Sequence, residues 1–156
     1  MKSVFYNTDV LDAEKKLMEK YKIPSVLLME NAGVNSAKII WDFFISEKCS
    51  RIVILAGKGN NAGDGFVAAR FLLNYSMNHE VSIPINIFLC YPPESLKGDA
   101  LTNYNIVKEL FKSDYYEIIS DLERLNNILD SENEKILFVD AVFGIGFNGE
   151  LDNTIK

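Results

Sequence analysis

Apolar and polar positions change period several times along the chain, and each change marks an element. In VLDAEKKLMEKY, residues 10–21, the charges gather on one face of a 3.6-residue repeat, which predicts an amphipathic helix. Pro24 stands where a second helix can begin. Beyond it Val26, Met29, Gly33, Ala37, Ile40 and Phe44 recur at three- and four-residue spacing. Leu28, Ala32, Ile39 and Phe43 widen that stripe, with Ser36 as its one polar break, so this helix is expected to bury much of its surface. Trp41, Phe43 and Phe44 belong to the core or to a dimer face, and at least two of them are expected in the core. Strand-like runs follow. RIVILAG (51–57) is β-branched and closed by glycine, and YEIIS (116–120) is short. VSIPINIFLCY (81–91) holds Pro84, which has no amide for a ladder and so belongs near the strand's start. KILFVDAVFGIG (135–146) is a strand running into a glycine loop. Helical patterns separate these runs at 64–75, 97–111 and 121–129.

Strands that alternate with helices call for right-handed crossovers and a parallel sheet covered on both faces. The expected fold class is α/β: a Rossmann-like doubly wound parallel sheet, three layers αβα, preceded by two N-terminal helices. A strand order of 3-2-1-4 sets the first and fourth strands side by side, with their connections leaving in opposite directions. Ligands bind at such a switch point, beyond the carboxyl ends of the strands. The two glycine-rich loops follow those two strands.

With 156 residues, 48% of them apolar, the chain fits a single domain, 1–156, and composition argues against disorder. A net charge of −6 without a Lys/Arg-rich block argues against nucleic acid and anionic membrane as partners. No apolar stretch approaches the roughly 18 residues that cross a bilayer. The first residues lack the apolar core of a secretion signal, so the cytoplasm is the expected location. Cys49 and Cys90 lack metal or redox spacing and read as free thiols of a reducing compartment. His79, the single histidine, reads as a surface-loop residue, which excludes multi-histidine zinc chemistry.

The first loop, GKGNNAGDG (57–65), joins a strand to a helix, and amides at a helix N-terminus favour an anion. Its glycines are expected to permit positive φ and close approach of a ligand. It lacks the GK[ST] end of a P-loop, and Ala62 stands where a dinucleotide fingerprint needs glycine. Asn60 and Asn61 offer amide oxygens and NH2 donors, or serve only as turn residues. Asp64 either only N-caps the helix or contacts a ligand, and one residue can do both. In the second loop Asp140 ends an apolar strand, where it bonds a backbone turn, a cation or a substrate hydroxyl. Gly144, Gly146 and Gly149 could line an anion site. Asn61 beside Asp140 would give one carboxylate and a neutral oxygen, a set suited to a monovalent cation. Glu30 and Asn31 either buttress the ligand loop or bond locally.

IPSVLLMENAG (23–33), GKGNNAGDGFVAARFL (57–72) and VDAVFGIG (139–146) together resemble, in this order, the motifs of the NAD(P)H-hydrate epimerase family. The resemblance covers nearly the whole chain. It implies an isomerase that interconverts the R and S forms of hydrated NADH and NADPH, repairing a damaged cofactor. It implies NADHX and NADPHX as substrate, bound at Asn60, Asn61, Ala62, Gly63 and Asp64 and at Gly144, Ile145, Gly146, Phe147, Asn148, Gly149 and Glu150. It implies a potassium ion on Asn61 and Asp140, and coupling to, or fusion with, an ADP- or ATP-dependent dehydratase. A homodimer through the surface near Leu27 and Met29 is compatible with the pattern.

Three departures accompany the resemblance. Ala62 replaces a usual glycine, which a helical backbone tolerates but positive φ would not; Ile145 replaces a threonine and removes a hydroxyl. The family continues to a D-x-P-S-G segment carrying the aspartate credited with catalysis, and no such run occurs here. The chain is therefore expected to be a fragment lacking C-terminal strands, with the fourth strand left as an open edge. No catalytic residue is assigned. Two rival readings stand beside the epimerase: a non-catalytic nucleotide- or protein-binding module of the same fold, and a generic dinucleotide domain for hydride transfer. The latter is weakened because no acid closes the second strand cleanly before Pro92 and Pro93.

Overall fold

The computed structural model describes residues 6–81, 83–113, 115–131 and 134–145. In chain order these form α1 (Asn7–Tyr21), α2 (Ser25–Ser46), β1 (Arg51–Ala56), α3 (Asn60–Asn78), β2 (Ile85–Leu89), a 3-10 turn (Pro93–Ser95), α4 (Gly98–Leu110), β3 (Tyr116–Ile119), α5 (Leu122–Leu129) and β4 (Ile136–Ala141). The strands are parallel and ordered β3-β2-β1-β4, as the alternation required. Leu55 pairs with Asp140 and Ala56 with Ala141, so β1 and β4 end level with each other. Among the described residues β3 and β4 form the two edges.

The two-residue period of the strands divides their side chains between two layers. Ile52, Ile54, Ile85 and Ile87 join Phe66 and Leu72 of α3 and Tyr104 and Val107 of α4 in the main core. Val53 and Ile119 pack with Leu125 and Ile128 of α5 in a second cluster, with Leu55 against it. Helices thus lie on both faces of the sheet. Pro84 sets the start of β2 at Ile85, and its carbonyl accepts a bond from Ile52 N at 3.0 Å. The strand is shorter than the apolar run 81–91 because a residue without an amide cannot extend the ladder.

α2 packs chiefly on α3, and the crossing is close. A Cβ on Gly33 would strike the Val67 side chain, and one on Gly63 would sit 2.5 Å from Met29 Sδ. The buried line of α2 is Met29, Gly33, Ala37 and Phe44. The wider stripe expected from sequence is only partly covered: Leu28 is half-buried, but Ala32 is exposed, Ile39 is 69% exposed and Phe43 51%. Among the described residues α3 is the main partner of this helix, and one main partner covers one stripe. Phe44 is buried and Trp41 packs half-buried on the core, stacked on Phe44 and near His79, while Phe43 faces out.

Two polar clusters brace the helices and strands. Arg51 donates to both carboxylate oxygens of Glu134, at 2.5 and 3.0 Å, and to Oδ1 of the fully buried Asn86 at 2.7 Å. Glu30 accepts from Arg70 at 2.5 Å, and Arg70 also donates to Asn103 at 2.9 Å, so Glu30 ties α2 to α3 and α4 rather than to the loop. Asn31 bonds locally, its carbonyl accepting from Asn35. His79 is exposed at the end of α3, and both cysteines are free.

Candidate functional site

The carboxyl ends of β1, β2 and β4 are drawn together by backbone. Gly57 N donates to Ala141 O at 3.0 Å, and Cys90 N donates to Ala56 O at 2.9 Å. A Cβ on Gly57 would collide with the Val142 carbonyl, so only glycine lets the two loops touch. Asn61 Nδ2 adds a bond to Phe143 O at 2.9 Å. A hypothetical Cβ on Gly144 would stand 3.2 Å from Asn61 Cβ, which shows how closely the second loop lies on α3.

α3 begins at Asn60, with Gly59 as its extended N-cap. This corrects the sequence expectation in two ways. The helix begins at Asn60 rather than at Asp64, so Asn60 and Asn61 are not the turn residues of the alternative reading, and Asp64 stands one turn inside the helix rather than at its cap. No side chain caps α3, so its first amides remain open toward the crevice. Among the described residues, positive φ occurs at Lys22, Lys48, Glu80 and Gly98 and nowhere in this loop. Gly57, Gly63 and Gly65 therefore serve close packing, while Gly59 borders open space, and Ala62, fully buried and helical, incurs no strain.

A cleft of about 1150 Å³ opens at this junction. One wall is the start of α3 with Gly59, Asn60, Asn61 and Asp64. Another is the end of β4, with Asp140, Val142, Phe143, Gly144 and Ile145. The remaining sides come from α1 through Leu11, Glu14 and Met18, from α2 through Met29 and its neighbours, and from Lys58, Tyr91 and Asp99. Of the residues the sequence singled out, the cleft brings together Asn60, Asn61, Asp64, Asp140, Gly144 and Ile145. Ala62 and Gly63 face inward, against the core and Met29. Gly146, Phe147, Asn148, Gly149 and Glu150 lie outside the described residues.

Several lining residues have no counterpart in the sequence reading. Leu11, Glu14 and Met18 follow the three- and four-residue spacing of one helix face, so their grouping was readable, but not what that face meets. Lys58 Nζ lies 4.2 Å from the centroid of the Tyr91 ring, a cation–π pair at the mouth.

Glu14, Asp64, Asp99 and Asp140 make the cleft acidic, with Lys58 as its cation among the described lining residues. Burial first, and the Glu14 charge second, raise the Asp64 carboxyl to about 6. Burial and the Asp140 charge push the Cys90 thiol up, which keeps it unreactive. Asp140 Oδ1 accepts from Val142 N at 2.9 Å, the local turn bond, which leaves its second oxygen for the cleft. With its nitrogen bonded to Phe143, Asn61 keeps a carbonyl oxygen. No three acidic, histidine or cysteine side chains converge as a metal cage among the described residues. No described helix is long and apolar enough to cross a membrane.

Residues 25–156 match the family profile described as YjeF-related protein N-terminus. The chain is similar to the bifunctional NAD(P)H-hydrate repair enzyme Nnr of Moorella thermoacetica, 39% identical over 132 residues, or 83% of this chain and 23% of that protein. It is similar to the NAD(P)H-hydrate epimerase of Elusimicrobium minutum, 31% identical over 149 residues (93% of this chain, 62% of the relative). The NAD(P)H-hydrate epimerase of Pirellula staleyi is 35% identical over 131 residues (84% of this chain, 53% of the relative). The chain thus spans between 23% and 62% of the length of these relatives.

Proposed function

The chain belongs to the NAD(P)H-hydrate epimerase family, whose profile covers residues 25–156, and on that footing we propose that its cleft interconverts the R and S forms of hydrated NADH and NADPH. The observation that carries this reading is the joining of Asn61, Asp64 and Asp140 in one crevice at the switch point of the sheet. At about 1150 Å³ the cleft exceeds the roughly 300–1,000 Å³ of ordinary small-molecule sites, as a dinucleotide requires.

The reacting carbon of the hydrate bears a hydroxyl and a ring nitrogen. Protonating the hydroxyl lets it leave as water while the nitrogen lone pair forms an iminium ion, and water can return to either face. The step needs a carboxyl to move the proton and fixed negative charge to favour the cation. Asp64, raised to about 6, retains a protonated fraction near neutral pH and suits the first task. Asp99 and Asp140 line the same cleft and add negative charge. The open amides of α3 suit a phosphate of the dinucleotide.

The spare oxygens of Asn61 and Asp140 fit a potassium ion, one carboxylate with one neutral donor. When bound, such an ion would supply the positive charge that holds the two loops in register. The names of the bifunctional relatives favour coupling to a second repair activity. The free thiols Cys49 and Cys90 fit a cytoplasmic setting. The exposed Leu27, Ile39, Phe43 and Ile45 on α2 favour either a homodimer or the alternative reading, a protein-binding module of the same fold.

The test is chromatographic separation of R- and S-NADHX and NADPHX after incubation with the full-length protein, in potassium and in sodium. The expected result is equilibration that potassium accelerates. Asp140→Ala is expected to lose the potassium response and about 10- to 100-fold in rate. Binding without interconversion by the parent would favour the module, and an Asp140→Ala protein with unchanged rate and salt response would remove the cation assignment.

A further inference from the structure

α1 turns a charged residue inward. Of its residues with described side chains only Glu14 and Leu17 are half-buried; Val10, Leu11 and Met18 are 36 to 45% exposed. A surface helix ordinarily presents glutamate to water and buries its apolar face. Here the glutamate lines the cleft together with Leu11 and Met18. The other charges of this helix stay outside, as in the exposed Lys15–Glu19 pair at 3.9 Å. Glu14 also precedes the segment 25–156 that the family profile matches.

Asp64, on α3, lines the same cleft, close enough for the Glu14 charge to act on it. Neither carboxyl has a hydrogen bond or ion pair among the described residues. The other charged or titratable groups lining the cleft are Asp99 from α4, Asp140 from β4, Lys58 from the β1–α3 loop and Tyr91 beyond β2. Lys58 lies over the Tyr91 ring, and Asp140 is bonded to Val142 N. Glu14 and Asp64 thus come from two different walls of one cleft. Epimerisation at a ring carbon has the same need, because oxygen leaves one face and returns to the other.

We propose that Glu14 is a second catalytic carboxyl, which works with Asp64 to move protons on the two faces of the hydrated nicotinamide ring; this rests on the epimerase reading above. Asp64 in its acid form gives its proton to the ring hydroxyl. The C–O bond breaks with its electron pair on oxygen, water leaves, and the nitrogen lone pair closes the C=N bond of the iminium ion. A water molecule then adds its oxygen to the carbon from the Glu14 side, and the C=N pair returns to nitrogen. The Glu14 carboxylate takes the proton released, and exchange with solvent restores both groups. Nothing is oxidised or reduced.

The experiment compares the full-length parent with Glu14→Gln, Glu14→Asp and, as control on the same helix, Glu19→Gln. Rates of R-to-S conversion, KM and potassium half-saturation are measured, with melting temperature as the check on folding. Loss of about 100-fold in kcat with KM nearly unchanged is expected for Glu14→Gln. Glu14→Asp should recover a substantial part of that loss, and Glu19→Gln should match the parent. A folded Glu14→Gln with the parent's kcat overturns the inference while leaving the epimerase reading intact. So does a Glu14→Gln that keeps kcat and shifts only the potassium response, since Glu14 would then be a cation ligand. A parent that does not interconvert the epimers removes both.

Discussion

Asp64 shows how one side chain joins folding to chemistry. It is half-buried in an acidic cleft, and its carboxyl is raised to about 6 from an ordinary 3.8. Ionising it is therefore harder in the folded chain than in the unfolded one. That penalty is absent below 3.8, grows as the pH rises through about 6, and persists above. Asp64→Asn removes it at little change in shape. The variant is expected to be more stable than the parent at pH 8, by about 1 kcal/mol after allowance for solvent screening, and level with it at pH 4. Chemical denaturation at both values checks this; an equal effect at both would deny the buried ionisation. Composition alone starts the helix at Asp64, which makes a cap one of its readings. The cap is Gly59, five residues earlier, because Ala62 and Gly63 pack as helix against the core and Met29. Their packing partners are distant in sequence, so no local signal could move the boundary. Ala62, which tolerates a helical backbone and would resist only positive φ, is helical here.

At the scale of elements, periodicity located the α-helices and strands of the described residues, and tertiary partners decided their ends and their buried widths. Pro84 was a reliable local stop because its missing amide acts whatever surrounds it. The breadth of the α2 stripe was misjudged, since residues such as Ile39 and Phe43 are apolar without having a partner among the described elements. The role of Arg51 was not readable at all. It opens β1, yet its partners are Asn86 on β2 and Glu134 just before β4, 35 and 83 residues away. Arg51 bonding and charge hold the Glu134 carboxyl below its ordinary value of 4.5. The stabilisation is accordingly present above 4.5 and fades as the pH falls through the lowered value. Glu134→Ala is expected to destabilise the fold by about 1–2 kcal/mol at pH 7 and by markedly less at pH 3, read from urea midpoints. A loss that does not shrink in acid would mean that packing, not the ion pair, holds this corner.

At the scale of the molecule, the order β3-β2-β1-β4 places two glycine loops side by side and creates the crevice. A cation bound there in the folded state alone must stabilise that state, by RT ln(1 + [L]/Kd). Replacing sodium by potassium at constant ionic strength is expected to raise the melting temperature of the parent and to leave Asp140→Ala unmoved. Equal melting of the parent in both salts would count against a potassium site, independently of any turnover. The sequence by itself determined the alternation of strands and helices, hence the parallel sheet, its order and the two loops that matter. Those features follow from periods of two and 3.6 residues and from crossover handedness, which are local or general rules. Only the tertiary structure decided that α1 turns Glu14 toward Asp64, that Gly57 is required by a carbonyl 85 residues away, and that Arg51 meets Glu134. Each of these depends on close approach between segments far apart in the chain, and such distances are set by packing rather than by any repeat.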